Sequence, residues 1–166
     1  MSVMPLSSVP GCPAAAHAAE PPGCILPVAP QAVCRLRYAR ENQTRQALNP
    51  SEVIAEIDRC PGLTRVELDG PGDPLASMAT TLATVAVLRQ HRPGVTIGLV
   101  TVGLQAAERA AELAAAGVGS VTLLVDTLDA ATAERLYAWI RPGKKNVPLP
   151  EAVLVLLDAQ ARAVPA

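Results

Sequence analysis

From Asp69 to Leu75 the chain reads Asp-Gly-Pro-Gly-Asp-Pro-Leu, directly after a strand-like run and directly before a helical one. Two glycines, Gly70 and Gly72, let a backbone turn come close to a ligand. Asp73 can cap the helix that follows, and Pro74 suits a first helical position. A ligand there lies at the carboxyl end of a strand, where α/β folds place their sites. Alone, such a turn is more often only a turn, so its surroundings decide the reading.

Other chemistry-bearing residues are few. The cysteines are Cys12, Cys24, Cys34 and Cys60, irregularly spaced. They are expected to be thiols rather than disulfides unless the chain is exported. Arg35, Arg37, Arg40 and Arg45 crowd one stretch, opposed only by Glu41. They read either as an anion site or as a solvated loop, and charge runs are usually solvated. His17 and His91 are isolated, without metal-ligand spacing. Asp126 and Asp129 follow a strand-like run. Asp129 reads as a helix cap, and Asp126 as a turn residue or a contact to a ribose hydroxyl.

The elements that position these residues follow from periodicity and punctuation. Residues 1–24 are rich in Pro, Ala, Ser and Gly and show no period, so they are expected to form a flexible segment, with one domain over 25–166. Strands are expected at Ile25–Ala29, Arg65–Asp69, Val95–Thr101 and Ser120–Asp126. Helices are expected from an Asn49-Pro50-Ser51-Glu52 capping signature to Pro61-Gly62, then at Leu75–Gln90, Gln105–Ala116 (closed by Gly117), Ala130–Ile140 and Pro150–Ala163. Strand and helix alternate, which argues for a parallel sheet with right-handed crossovers. A closed barrel needs about eight strands. Four are clear, so the fold class is α/β, a half-barrel or a small open sheet.

Composition bounds the function. The chain has 166 residues and a net charge of −1, so no global field favours nucleic acid or a membrane surface. No apolar run reaches the roughly 18 residues of a membrane span. The first 24 residues lack Lys and Arg, so no secretory signal is expected and a cytoplasmic location is. Half the residues are hydrophobic, but aromatics are 2% and there is no Phe. The core therefore rests on Ala, Val and Leu, which bury modest area each.

Val28-Ala29-Pro30, Tyr38, Gly70-Pro71-Gly72-Asp73-Pro74-Leu75-Ala76, Thr101-Val102-Gly103-Leu104, Val121-Thr122, Asp129 and Tyr137-Ala138-Trp139-Ile140 together resemble one family. It is that of the radical S-adenosylmethionine (SAM) proteins that make the precursor of the nitrogenase iron–molybdenum cofactor. The likeness runs from about Cys12 to Arg162. It implies a partial TIM-type (β/α) barrel, SAM bound at the turn Gly70, Pro71, Gly72, Asp73 and Pro74 and near Thr101, Gly103 and Asp126, and a [4Fe–4S] cluster held by Cys-x3-Cys-x2-Cys in the first loop. This chain departs from the family in that loop. With Val28-Ala29-Pro30 and Tyr38 aligned, the three cluster positions fall on Ala32, Leu36 and Ala39, and Cys34 is two residues out of register. Cys12 and Cys34 are the leftover thiols nearest the motif. Such a cluster needs three protein thiolates. The family's Thr-Asn-Gly has become Thr101-Val102-Gly103, and its Asn at the end of the fourth strand is Asp126.

The expectation is a catalytically silent radical-SAM-like domain with a binding or accessory role, no resident cofactor and residual SAM binding. The alternative is an enzyme subunit whose missing ligands or half-barrel come from another chain; a decaying fragment is the third reading. Two open sheet edges point to a homodimer or a nitrogenase-assembly partner.

Overall fold

The computed structural model describes residues 23–38, 46–144 and 146–164. The first strand, β1 (Gly23–Pro27), pairs in parallel with β3 (Arg65–Asp69), β3 with β4 (Thr96–Thr101), and β4 with β5 (Ser120–Leu123). The helices α1 (Pro50–Asp58), α2 (Met78–His91) and α3 (Ala106–Ala116) lie between them in the chain. This four-stranded parallel sheet is the α/β half-barrel expected, and β1 and β5 are its edges.

Local chemistry explains the helices. Asn49 Oδ1 accepts from Ser51 N–H at 2.9 Å and Glu52 N–H at 3.1 Å, while the Glu52 carboxylate accepts from Asn49 N–H at 2.8 Å. That is a complete capping box with Pro50 at the first helical position. Gly117, at φ +98°, closes α3 in the left-handed region that a side chain disfavours. Val53, Ile57, Val66, Leu68, Val85, Leu88, Ile97 and Leu99 are fully buried and form the main core between sheet and helices. His91 and Arg92, at the end of α2, both reach Asp58 at 3.0 Å.

Four boundaries differ from expectation. β1 takes in Gly23 and Cys24, assigned from sequence to the flexible segment, and ends at Pro27 rather than Ala29; the rest of that segment, residues 1–22, lies outside the described residues. The run Ala130–Ile140 is not one helix: α4 (Ala130–Leu136) stops and β6 (Tyr137–Ile140) begins. Tyr-Ala-Trp-Ile is aromatic and β-favouring, and it finds an antiparallel partner in β2 (Cys34–Leu36), a strand too short to show in sequence. Asp129 caps α4 as expected, its Oδ1 accepting from Thr132 N–H at 2.8 Å. The run Ser120–Asp126 stops being strand at Leu123, which leaves Asp126 in a loop. Residues 74–77 form a turn, and α2 starts at Met78 rather than Leu75.

The last helix, α5 (Leu149–Ala163), packs with α4 and β6 in a second core of Leu104, Tyr137, Ile140, Val153 and Leu156. Its Gln160, 4% exposed, donates from Nε2 to the carbonyls of Val102 at 2.8 Å and Leu124 at 3.1 Å. One amide thus joins α5 to the loops that follow β4 and β5. No described helix is long and apolar enough to cross a membrane.

Candidate functional site

Because the four parallel strands point the same way, the loops after them meet at one end of the sheet. A cleft of about 720 Å³ opens there. Its lining includes Gly70, Pro71, Gly72, Asp73, Thr101 and Asp126, six of the residues singled out in the sequence. Pro74 and Gly103 lie behind it, both buried. The small β2–β6 sheet forms one wall and brings Cys34, Leu36, Tyr137 and Trp139 to the cleft.

The Gly70–Pro74 turn is locked to the loop after β1. Gly72 N–H donates to Ala29 O at 2.6 Å and Asp73 N–H to Gln31 O at 2.8 Å. A Cβ on Gly72 would sit 2.2 Å from Gln31 C and O. The space that this glycine leaves open is thus filled by the chain's own backbone.

Asp73 is the centre of the arrangement. It is 4% exposed and has no cation partner among the described residues. Instead it accepts three hydrogen bonds: Oδ1 from Leu75 N–H at 2.8 Å, and Oδ2 from the Thr101 hydroxyl at 2.8 Å and Val102 N–H at 2.9 Å. Thr101 Oγ1 in turn accepts from Gly103 N–H at 3.0 Å, where φ is +95°. Hydrogen bonds from hydroxyl and backbone donors stand in for water around the buried carboxylate. Asp73 therefore ties the loop after β3 to the loop after β4.

On the opposite wall, the Tyr137 hydroxyl donates to Asp126 at 2.5 Å. Burial and that carboxylate push the phenol well above its usual range. Asp69, Asp73 and Asp126 are all among the lining residues, and Arg35 is the one basic residue with them. Arg35 and Arg37 are solvent-exposed, but Arg35 lies in strand β2 and lines the cleft rather than sitting in a loop. Cys12, His17, Ala39, Arg40 and Arg45 lie outside the described residues.

The donor set bears on the cluster. Ala32 is exposed and Leu36 half-buried, and neither side chain carries a ligand atom. Cys34 lies between them in the cleft wall. Burial, then the Asp73 and Asp126 carboxylates, push its thiol up to about 11. Cys24 and Cys60 lie at the far end of the sheet, and no group of three His, Cys, Asp or Glu among the described residues is placed to hold a metal ion. Among the described residues the cleft wall supplies one thiol, that of Cys34, and this set does not fit a [4Fe–4S] cluster, which requires three thiolates. The protonation state of Cys34 is directly measurable. Alkylation of Cys34 by iodoacetamide, followed by peptide mass analysis across pH, is expected to rise half-maximally near 11. A midpoint at the ordinary thiol value of about 8.5 would show that Cys34 is neither buried in the cleft wall nor faced by the carboxylates.

Sequence reasoning missed Gln160 and Tyr137 as site-building residues. A lone Gln on the apolar face of α5 is the signal that could have found the first. The second stands in the Tyr137–Ile140 motif quoted for the resemblance, where it was given no role in the site.

No family model matches the chain. Among curated proteins, it is 31% identical to FeMo cofactor biosynthesis protein NifB of Klebsiella pneumoniae, over 84% of this chain and 33% of that protein. It is 30% identical to the NifB of Chlorobaculum tepidum, over 84% of this chain and 36% of the relative. For the NifB of Frankia alni the figures are 26%, 87% and 29%. The chain thus spans about a third of the length of these relatives.

Proposed function

Because the chain belongs to a NifB-related family, we propose that it serves FeMo cofactor biosynthesis as a binding or accessory protein and performs no radical chemistry. Its cleft keeps a weak site for SAM or S-adenosylhomocysteine. The observation that carries this reading is the donor set in the first loop. Ala32 and Leu36 stand where the resemblance requires thiolates, while Gly70, Pro71, Gly72, Asp73, Thr101 and Asp126 line one cleft. Without a cluster iron, the amino and carboxylate groups of SAM lose an anchor, so affinity falls to the order of 0.1–1 mM. Three lining carboxylates against one arginine favour a cationic ligand.

Calorimetry tests this. SAM, with its sulfonium charge, is expected to bind several-fold more tightly than neutral-sulfur S-adenosylhomocysteine. Asp126→Asn, at the cleft wall, is expected to narrow that difference. Absence of heat with either ligand at millimolar concentration would remove the ligand-binding half of the proposal. Tight binding indifferent to Asp126 would place the site elsewhere.

A second reading is an enzyme subunit completed by another chain. One observation favours it: β5 lies at the edge of the sheet with Val121 41% exposed, and Leu124 and Val125 in the loop after it are 46% and 44% exposed. An open edge with apolar side chains is a template for further strands. Stoichiometric cluster formation would favour this reading over the first.

A further inference from the structure

Trp139 is the one tryptophan of the chain, yet it belongs to neither apolar core of the described residues. Tyr137 and Ile140, at the two ends of β6, are buried in the second core, while Trp139 between them is half-buried and lines the cleft. Strand pairing explains the difference. Residues directly opposite one another in an antiparallel pair put their side chains on the same face. Cys34 is opposite Ile140 and packs with it on the core; Arg35 is opposite Trp139 and lines the cleft with it. Arg141, which does not line the cleft, holds its guanidinium carbon 5.2 Å from the centre of the indole. One side of the ring is thus stacked on a cation away from the cleft, and the side toward the cleft is left for a ligand.

We propose that Trp139 is the platform on which this cleft stacks the base of a phosphate-free purine nucleoside, an assignment that rests on the cleft's being a ligand site as read above. A half-exposed indole outside the core offers a flat apolar face on which a base stacks, and the larger purine covers more of it than a pyrimidine. The cleft volume of about 720 Å³ is in the range of small-molecule sites. Its polar lining decides the rest of the class. Asp69 and Asp126 each have one carboxylate oxygen engaged within the protein, to Gly70 N–H at 2.7 Å and to the Tyr137 hydroxyl at 2.5 Å. The other oxygen of each can accept from a ribose hydroxyl or an exocyclic amine. A phosphate would meet the carboxylates of Asp69, Asp73 and Asp126, with Arg35 alone to offset them.

The test is a titration of the full chain with adenosine, followed by the emission of its single tryptophan. Saturable quenching at millimolar adenosine is expected, with AMP and uridine each needing several-fold higher concentration. In calorimetry with SAM, Trp139→Leu should weaken binding roughly tenfold, and Trp139→Phe should keep most of it, because phenylalanine supplies a ring and leucine only bulk. SAM binding unchanged in Trp139→Leu, with an emission that adenosine does not move, would overturn the platform and leave the reading of the cleft standing. AMP or uridine bound as tightly as adenosine would overturn the ligand class. Absence of binding by both SAM and adenosine would overturn the platform and the reading of the cleft together. If Trp139→Leu does not fold, the emission titration of the unaltered chain decides alone.

Discussion

Replacing Asp73 by alanine is expected to destabilise the domain by about 3 kcal/mol, because it strands buried donors that nothing else can reach. The Thr101 hydroxyl and the Val102 N–H both donate to Asp73 Oδ2, and Leu75 N–H donates to Oδ1. Thr101 is 1% exposed, so water cannot easily take over at its hydroxyl. Each buried donor left without a partner costs about 1–3 kcal/mol. Asp73→Asn keeps one acceptor oxygen but turns an amide toward the other donors, so an intermediate loss is expected. Urea unfolding of the three proteins checks this. If Asp73 served only to touch a ligand, the alanine variant would unfold at the wild-type midpoint.

The second large effect concerns Gly72. Alanine there is expected to cost about 3 kcal/mol or more, the range of overpacking against a structure that cannot yield. The added Cβ would lie 2.2 Å from Gln31 C and O and 2.7 Å from Ala32 N. These are backbone atoms, so no rotamer change relieves the clash. The loop after β1 has to move, which breaks the bonds from Gly72 N–H to Ala29 O and from Asp73 N–H to Gln31 O. SAM binding should weaken together with stability. Gly94→Ala and Gly143→Ala are the controls: nothing lies within 4 Å of either added Cβ. They should unfold within about 0.5 kcal/mol of wild type. A Gly72→Ala protein as stable as these controls would mean that the two loops are not in contact.

The parts legible in the sequence were those with local causes. The Asn49 capping box, the Asp129 cap and the Gly117 closure are short-range chemistry, and each is in place. The apolar run Val95–Thr101 announces a strand covered by helices, and β4 is central, but the equally apolar run Ser120–Asp126 holds an edge strand with Val121 41% exposed. What was hidden has long-range causes. β2 is three residues long and exists because β6 pairs with it across about a hundred residues of chain. Tyr137–Ile140 follows a helical run with no Gly or Pro to separate them, so its change to strand is set by that same partner. Gly72 could be read as a place for close approach, but only the structure shows that Gln31 is what approaches. The cleft residues could be gathered from the glycine-rich turn and the strand ends. Their mutual fastening through Asp73 and Gln160 could not.

Iron and acid-labile sulfide per chain after anaerobic reconstitution, with the absorption spectrum, test most directly whether the first loop can hold a cluster. With Ala32 and Leu36 where the resemblance places cluster ligands and the Cys34 thiol pushed up by burial, the expected result is sub-stoichiometric iron and no broad band near ~400 nm. Restoring cysteine together at positions 32, 36 and 39 should bring a cluster back. Stoichiometric iron and sulfide in the unaltered chain, lost on Cys34→Ala, would contradict the account.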